Sequence, residues 1–274
     1  MSLIITATDF SEVANHALHY ACRMAQEYNA SIAVVHSYTI PVTFTENPMP
    51  VMPIEESREI AENHMTELVR NLSAIYPGIP IQSHISFGDI TEALADYAKL
   101  HQPWLIVVGN SLSDDDGFWF GGSLLSILRN SEHPVMAVPP GIDFIPPKKI
   151  CFACDYKNIR EQLPAADLLK LVNNTKAALY VLNVDHDNRE FATNTPEEAT
   201  ALNDLIGEAD PQYHYIDNAD KTVGIQHFVE ENNIDLLVMI PHRHSFFEGL
   251  FHKSNTKALA KGAHIPVIAL HEKQ

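Results

Sequence analysis

The sequence predicts an α/β protein built twice over, each copy a parallel sheet covered by helices on both faces. Three observations carry this reading. Apolar, β-branched runs alternate with stretches of helical periodicity. The strand runs are almost continuously apolar, as expected of strands buried on both sides. The second half of the chain also repeats the first half in order.

In copy one, residues 4–6, 32–36, 81–87, 105–109 and 135–138 read as strands. Between the first two, Ala14, Ala17, Leu18, Ala21, Ala25 and Tyr28 recur at helical spacing behind Ser11 as N-cap. Ile90, Ala93, Leu94 and Tyr97 do the same behind Asp89, with Glu92 at the third helical position in a capping-box arrangement. After the fourth strand, Gly121, Gly122 and Ser123 open a helix over "SLLSILRN".

Copy two repeats these elements. "LIITATDFS" returns as "KICFACDYK", aligning Asp9 with Asp155, and "SIAVVHSY" returns as "ALYVLNVD". "LHQPWLIVVGN" returns as "ENNIDLLVMIP", and "HPVMAVPP" as "IPVIALHE". A weaker second helix falls around residues 197–207. The Pro-rich stretch "PPGIDFIPPKK" marks the boundary, so the copies are expected at residues 1–145 and 146–274.

Of the 274 residues, 46% are hydrophobic and 19% charged, a globular composition. With 35 acidic and 18 basic residues the net charge is −17, which repels phosphate backbones and argues against a nucleic-acid partner. Copy one carries −12 and copy two −5, so their chemistry has diverged. The opening residues read as a strand rather than a leader, and no apolar run approaches the ~20 residues of a membrane helix; a cytoplasmic protein is expected. Three cysteines make no disulfide framework. Cys151 and Cys154 lie in a strand-like run, where positions three apart point opposite ways, unlike a redox pair at a helix N-terminus.

The stretch "VVGNSLSDDDGFWFGGSLL" runs from the end of a strand through a loop into a glycine-rich helix start. In doubly wound sheets, ligands sit beyond the carboxyl ends of the strands, and a helix N-terminus favours an anion. Asp9 and Gly109 end strands one and four. From these residues the chain resembles the universal stress protein family in a tandem form, over nearly its whole length. Ala7-Thr8-Asp9-Phe10-Ser11 matches the family's opening of Pro, then Thr or Val, then Asp-x-Ser. Gly109, Gly122 and Ser123 match three places of the Gly-x2-Gly-x9-Gly-Ser/Thr pattern of nucleotide-binding members, while Leu112 stands at its second glycine.

The resemblance implies two tandem Rossmann-like (adenine nucleotide alpha hydrolase-like) domains, each a five-stranded parallel sheet. It implies adenosine contacts from Ala7, Thr8, Asp9 and Ser37, and phosphate contacts from Gly109, Gly122, Ser123 and Leu124, with ATP or AMP as the ligand. Asp114, Asp115 and Asp116 would oppose a polyanion in this loop unless Mg²⁺ joined them to it. Copy two has lost the cradle: Gly109, Leu112 and Gly122 align with Ile240, Arg243 and Lys253, and only Ser254 matches Ser123.

Residues 242–257 instead collect His242, Arg243, His244, His252, Lys253 and Lys257 beside Phe246, Phe247, Leu250 and Phe251. This segment is an anion site by charge, or a partner surface. His242, His244, Glu248 and His252 match no recognised zinc spacing, so no metal site is expected. No nucleophile elbow, Walker lysine or HExxH is present, and no catalytic residues are assigned. The expected function is regulatory adenine-nucleotide binding in copy one. The alternatives are a nucleotide-free interaction module acting through residues 242–257, and a slow nucleotide hydrolase. The last strands of the two copies are expected side by side, an internal pseudo-dimer that leaves room for a homodimer. The Pro-rich stretch 40–53 reads as a lid or a long connection.

Overall fold

The computed structural model describes residues 1–40, 53–110, 121–187, 193–241 and 265–271. Residues 112–116, residues 242–257 and nearly all of 40–53 lie outside the described residues. The described contacts divide the chain into two compact units, Met1–Gly109 and Asn110–Gln274.

The first unit runs β1 (Ser2–Ala7), α1 (Glu12–Glu27), β2 (Ala30–Tyr38), α2 (Ile54–Ile75), β3 (Ile81–Phe87), α3 (Ile90–His101) and β4 (Leu105–Gly109). Its strands lie parallel in the order β3-β2-β1-β4. Ile4 and Ile5 of β1 are both fully buried, and every residue of β4 is buried. Adjacent strand residues point to opposite faces, so both faces of the sheet are covered. Helix α1 begins where Ser11 Oγ accepts the Ala14 amide at 3.2 Å and buries Ala14, Ala17, Leu18 and Ala21. Helix α2 turns a narrower face inward through Ser57, Ala61, Met65 and Leu72.

The second unit runs α4 (Gly121–Asn130), β5 (Val135–Val138), β6 (Lys149–Ala153), α5 (Ile159–Gln162), α6 (Ala165–Thr175) and β7 (Ala178–Asp185). It continues through α7 (Thr195–Ile206), β8 (Gln212–Asp217), α8 (Lys221–Asn232), β9 (Leu236–Met239) and β10 (Val267–Ala269). The strand order is β5-β10-β9-β6-β7-β8. From β10 to β8 every pairing is parallel, the five-stranded parallel sheet expected of copy two. β5 joins β10 antiparallel, so the last strands of the two copies do lie side by side. Beyond β10, the His271 ring contacts the Leu128 and His133 carbonyl oxygens at 2.7 and 3.1 Å. Leu128 is in the last turn of α4, where carbonyls lack helical partners.

The repeat extends to the caps. Asp89 accepts the Thr91 and Glu92 amides at the start of α3, and Asp220 accepts the Thr222 and Val223 amides at the start of α8. Both helices end on a left-handed residue, Gln102 and Asn233. No described helix is long and apolar enough to cross a membrane.

Candidate functional site

Register shows which residues correspond. Ile4 pairs Ile32 in copy one as Ile150 pairs Leu179 in copy two, so Asp9 and Asp155 hold the same place beyond the first strand. The same frame puts Ile240 where Gly109 stands, as the sequence repeat suggests. Both turns are built alike. The Thr8 amide donates to Val35 O and the Cys154 amide to Leu182 O, each at 2.9 Å. Asp9 Oδ1 accepts the Ser11 amide at 2.9 Å, and Asp155 Oδ1 accepts the Lys157 amide at 3.2 Å. Phe10 and Tyr156 sit between them at φ of 65° and 54°. A left-handed non-glycine residue costs about 1–2 kcal/mol, so the aspartate's bond to the turn offsets real strain. His36 Nδ1 lies 2.8 Å from Thr8 O, and Asn183 Nδ2 donates to Cys154 O at 2.9 Å, equivalent side chains on one equivalent carbonyl.

Above that shared turn the copies part. In copy one the Phe10 ring lies 4.5 Å from the His36 ring and 5.4 Å from His64 of α2. Burial pushes the His36 imidazole below its usual pKa. At the strand rim, Tyr38 and Phe87 are register partners and meet edge to face at 5.6 Å.

The residues expected to bind nucleotide are placed as follows. Ala7 and Thr8 are buried, and Thr8 Oγ1 accepts the Phe10 amide at 3.0 Å. Ser37 is 4% exposed, and its hydroxyl has no hydrogen-bond partner among the described residues. β1 pairs with β4 through Thr6 and Val107, which carries Asp9 and Gly109 to the same sheet end. A Cβ on Gly109 would lie 2.7 Å from Val13 Cγ1 and 2.8 Å from the Val13 carbonyl oxygen. Close packing of α1 on β4 therefore explains this glycine without a phosphate. Gly122, Ser123 and Leu124 lie in the first turn of α4, in the second unit, and Leu124 is buried.

Copy two holds a cavity of about 480 Å³ beyond the carboxyl ends of β6, β7 and β8. Asp155, Asp185, Asp187 and Asp217 line it with Asn183, and α7 adds Thr195, Pro196 and Ala199. One wall is the Tyr156–Tyr215 pair, stacked at 5.9 Å and 12° with the hydroxyls 3.0 Å apart. Burial first, then this hydrogen bond, raises the Tyr156 phenol well above its ordinary pKa, so it stays neutral. Asp185 and Asp217 are register partners, at the rim position that Tyr38 and Phe87 hold in copy one.

The His186 amide donates to Asp185 Oδ1 at 2.7 Å. Its ring nitrogens lie 2.8 Å from Asp217 Oδ1 and 3.4 Å from Asp187 Oδ2. The His186 hydrogen bond holds the Asp217 carboxyl below its usual range. Donor atoms of His186, Asp187 and Asp217 lie within 4.8 Å of one another. Cys151 lies within β6 and Cys154 just beyond it, and burial pushes Cys154 to about 12, Cys151 higher still. Neither thiol is poised as a nucleophile. Sequence reasoning aligned Asp155 with Asp9 but missed Asp185, His186, Tyr215 and Asp217. The aligned pair Tyr38 and Asp185 was the available signal, an aromatic exchanged for an acid at one strand end.

The profile of the universal stress protein family matches residues 1–139 and again 147–271. The fold is similar to a universal stress protein from Archaeoglobus fulgidus DSM 4304, at 18% identity and a TM-score of 0.69, covering 99% of this chain and 98% of that one. It is also similar to a functionally unknown protein from Pseudomonas aeruginosa PAO1 (15% identity, TM-score 0.61, 99% and 93% covered). A putative universal stress protein from P. aeruginosa UCBPP-PA14 gives 14% identity and 0.57 over the same shares. No curated protein matches the chain.

Proposed function

The chain belongs to the universal stress protein family as a tandem member, and on that premise we propose that it is a regulatory, cytoplasmic small-molecule-binding protein whose working site is the copy-two cavity. The observation that carries this is the cavity itself. Its volume of about 480 Å³ falls in the range of small-molecule sites, and it lies beyond the strand ends, where such sheets bind ligands. Carboxylates, an amide and two tyrosine phenols line it, groups that hold a ligand.

Thermal-shift screening of a small-molecule panel tests this. A ligand of the native state raises Tm with its concentration. Ala199→Trp, filling the cavity from α7, is expected to abolish those shifts while leaving the unliganded Tm within a few degrees. Shifts that persist in Ala199→Trp would sink the reading.

A second reading places ATP or AMP in copy one, with Ala7, Thr8, Asp9 and Ser37 toward adenosine and Gly109, Gly122, Ser123 and Leu124 toward phosphate. It is favoured by the buried Ser37 hydroxyl without a partner among the described residues, an acceptor and donor for a sugar or base. On this reading Mg²⁺ would offset the negative charge of Asp114, Asp115 and Asp116. Calorimetric titration of ATP with and without Mg²⁺ should then give heat that Gly122→Val removes. Heat unchanged in Gly122→Val would exclude the glycine turn.

A further inference from the structure

His271 stands just beyond β10 and is 9% exposed, and both of its ring nitrogens meet backbone carbonyls. Nε2 lies 2.7 Å from Leu128 O in the last turn of α4, and Nδ1 lies 3.1 Å from His133 O in the turn before β5. A carbonyl oxygen only accepts, so each contact is a bond only where the facing nitrogen carries a proton. Neutral imidazole carries one such proton and imidazolium two. The shorter contact takes the single proton, because the other tautomer would press a bare Nε2 against Leu128 O at 2.7 Å. Leu128 O is a last-turn carbonyl, whereas His133 O already accepts the Ser131 hydroxyl at 2.8 Å. The neutral ring therefore makes one bond and turns its Nδ1 lone pair toward His133 O.

We propose that His271 is a proton-gated clasp at the β5–β10 seam, tied to one carbonyl when neutral and to both when charged. Its parts all lie in the second unit, yet α4 and β5 come from the first repeat and β10 from the second. A proton taken up here adds a bond between segments of the two repeats. Burial is the largest influence on the ring and holds its pKa below the ordinary 6.5; the two carbonyls pull it up, and the His133 imidazole pushes it down. The ring is therefore neutral at pH 7.5 and charges in acid. Arg129 of α4 and Glu132 of the turn are exposed, and β5, β9 and β10 carry no ionisable side chain. The unfolded ring charges first, so acid costs stability overall, while molecules that stay folded gain the second bond.

The test is ¹³C and ¹⁵N NMR of the full chain titrated from pH 7.5 to 5.0, with His271 assigned from the backbone through Leu270. At pH 7.5 Nε2 should carry the proton and Nδ1 none. In acid both should be protonated, and the His133 carbonyl carbon should shift in the same step. The Nδ1 proton should then exchange with water roughly tenfold more slowly than that of the exposed His101 ring. His271→Gln keeps a donor for Leu128 O but has no titrating ring, so the His133 carbonyl step should vanish in it; circular dichroism and Tm establish that it folds. A step that persists in His271→Gln belongs to the His133 ring and overturns the proposal. So does a His271 ring whose Nδ1 holds the proton at pH 7.5, or one that stays neutral down to pH 5.0. An acid form exchanging as fast as His101 would mean that the charged ring is expelled rather than clasped, and would sink it too. These ring readings come from the unaltered chain and decide the matter even where the variant fails to fold.

Discussion

Copy one and copy two end their second and third strands in opposite chemistry on the same scaffold. Tyr38 against Phe87 in one becomes Asp185 against Asp217 in the other. Below that rim the turns match bond for bond, down to the left-handed aromatic after the aspartate. In copy one that aromatic, Phe10, packs on His36 and His64; in copy two Tyr156 turns to Tyr215 beside an acid-lined cavity. The lesson is that a family motif can be kept for its backbone while ligand chemistry moves to the residues around it. Copy two lost the glycine pattern and holds the described cavity. Copy one kept Gly109, whose place is explained by Val13.

The comparison breaks most visibly at Gly109. Gly109→Ala forces a Cβ against the Val13 backbone, which cannot move without shifting α1, and should cost about 3 kcal/mol. Gly224→Ala in α8 meets mainly the Val184 side chain, and alanine's higher helix propensity returns about 1 kcal/mol. Thermal unfolding should rank Gly109→Ala well below Gly224→Ala; equal costs would remove the packing account of Gly109.

Phe10→Ala sharpens the contrast next. It should cost about 2 kcal/mol, as deletion of a half-buried aromatic does, and open space in copy one where copy two has its cavity. Water reaching His36 should move its pKa back up toward 6.5, readable by NMR titration. An unmoved His36 would mean that Phe10 does not shield it.

Caps test the claim that the scaffolds are equivalent. Asp89→Ala and Asp220→Ala should each cost about 1 kcal/mol, and similar losses are expected because each aspartate caps two amides. A twofold difference in denaturant midpoint shift would show that the repeat stops short of energetics.

The smallest effect expected is the pH response. Burial lowers the pKa of His19, His36 and His84 in the first unit and of His271 in the second. With native values below the unfolded 6.5, the unfolded chain takes up protons first as pH falls. Stability is therefore held above about pH 6.5 and drains below it. Hydrogen exchange at pH 7.5 and 5.0 should show amides of Met1–Gly109 losing more protection than those of the second unit. Equal losses would count against the histidines as the cause.

Much of this was legible from the chain. Ser11, Asp89, the alternation of runs and the pairing of Asp9 with Asp155 are local or periodic signals, and the structure carries each of them. β5 and β10 as neighbours followed from a family resemblance, and their antiparallel ladder agrees with it. The candidate site was far less legible. Sequence pointed to Gly109 and the loop after it, residues 111–120, which lie outside the described residues.

By itself the sequence determined the two copies, their element order, their caps and their family, because helix and strand periods and capping bonds are written within a few residues. Only the tertiary structure decided that Gly109 answers to Val13, and that Asp185, Asp217 and Tyr215 surround one cavity. Those facts depend on strand register, which brings together residues far apart in the chain. A shift of one residue would turn each of those side chains to the other face of the sheet.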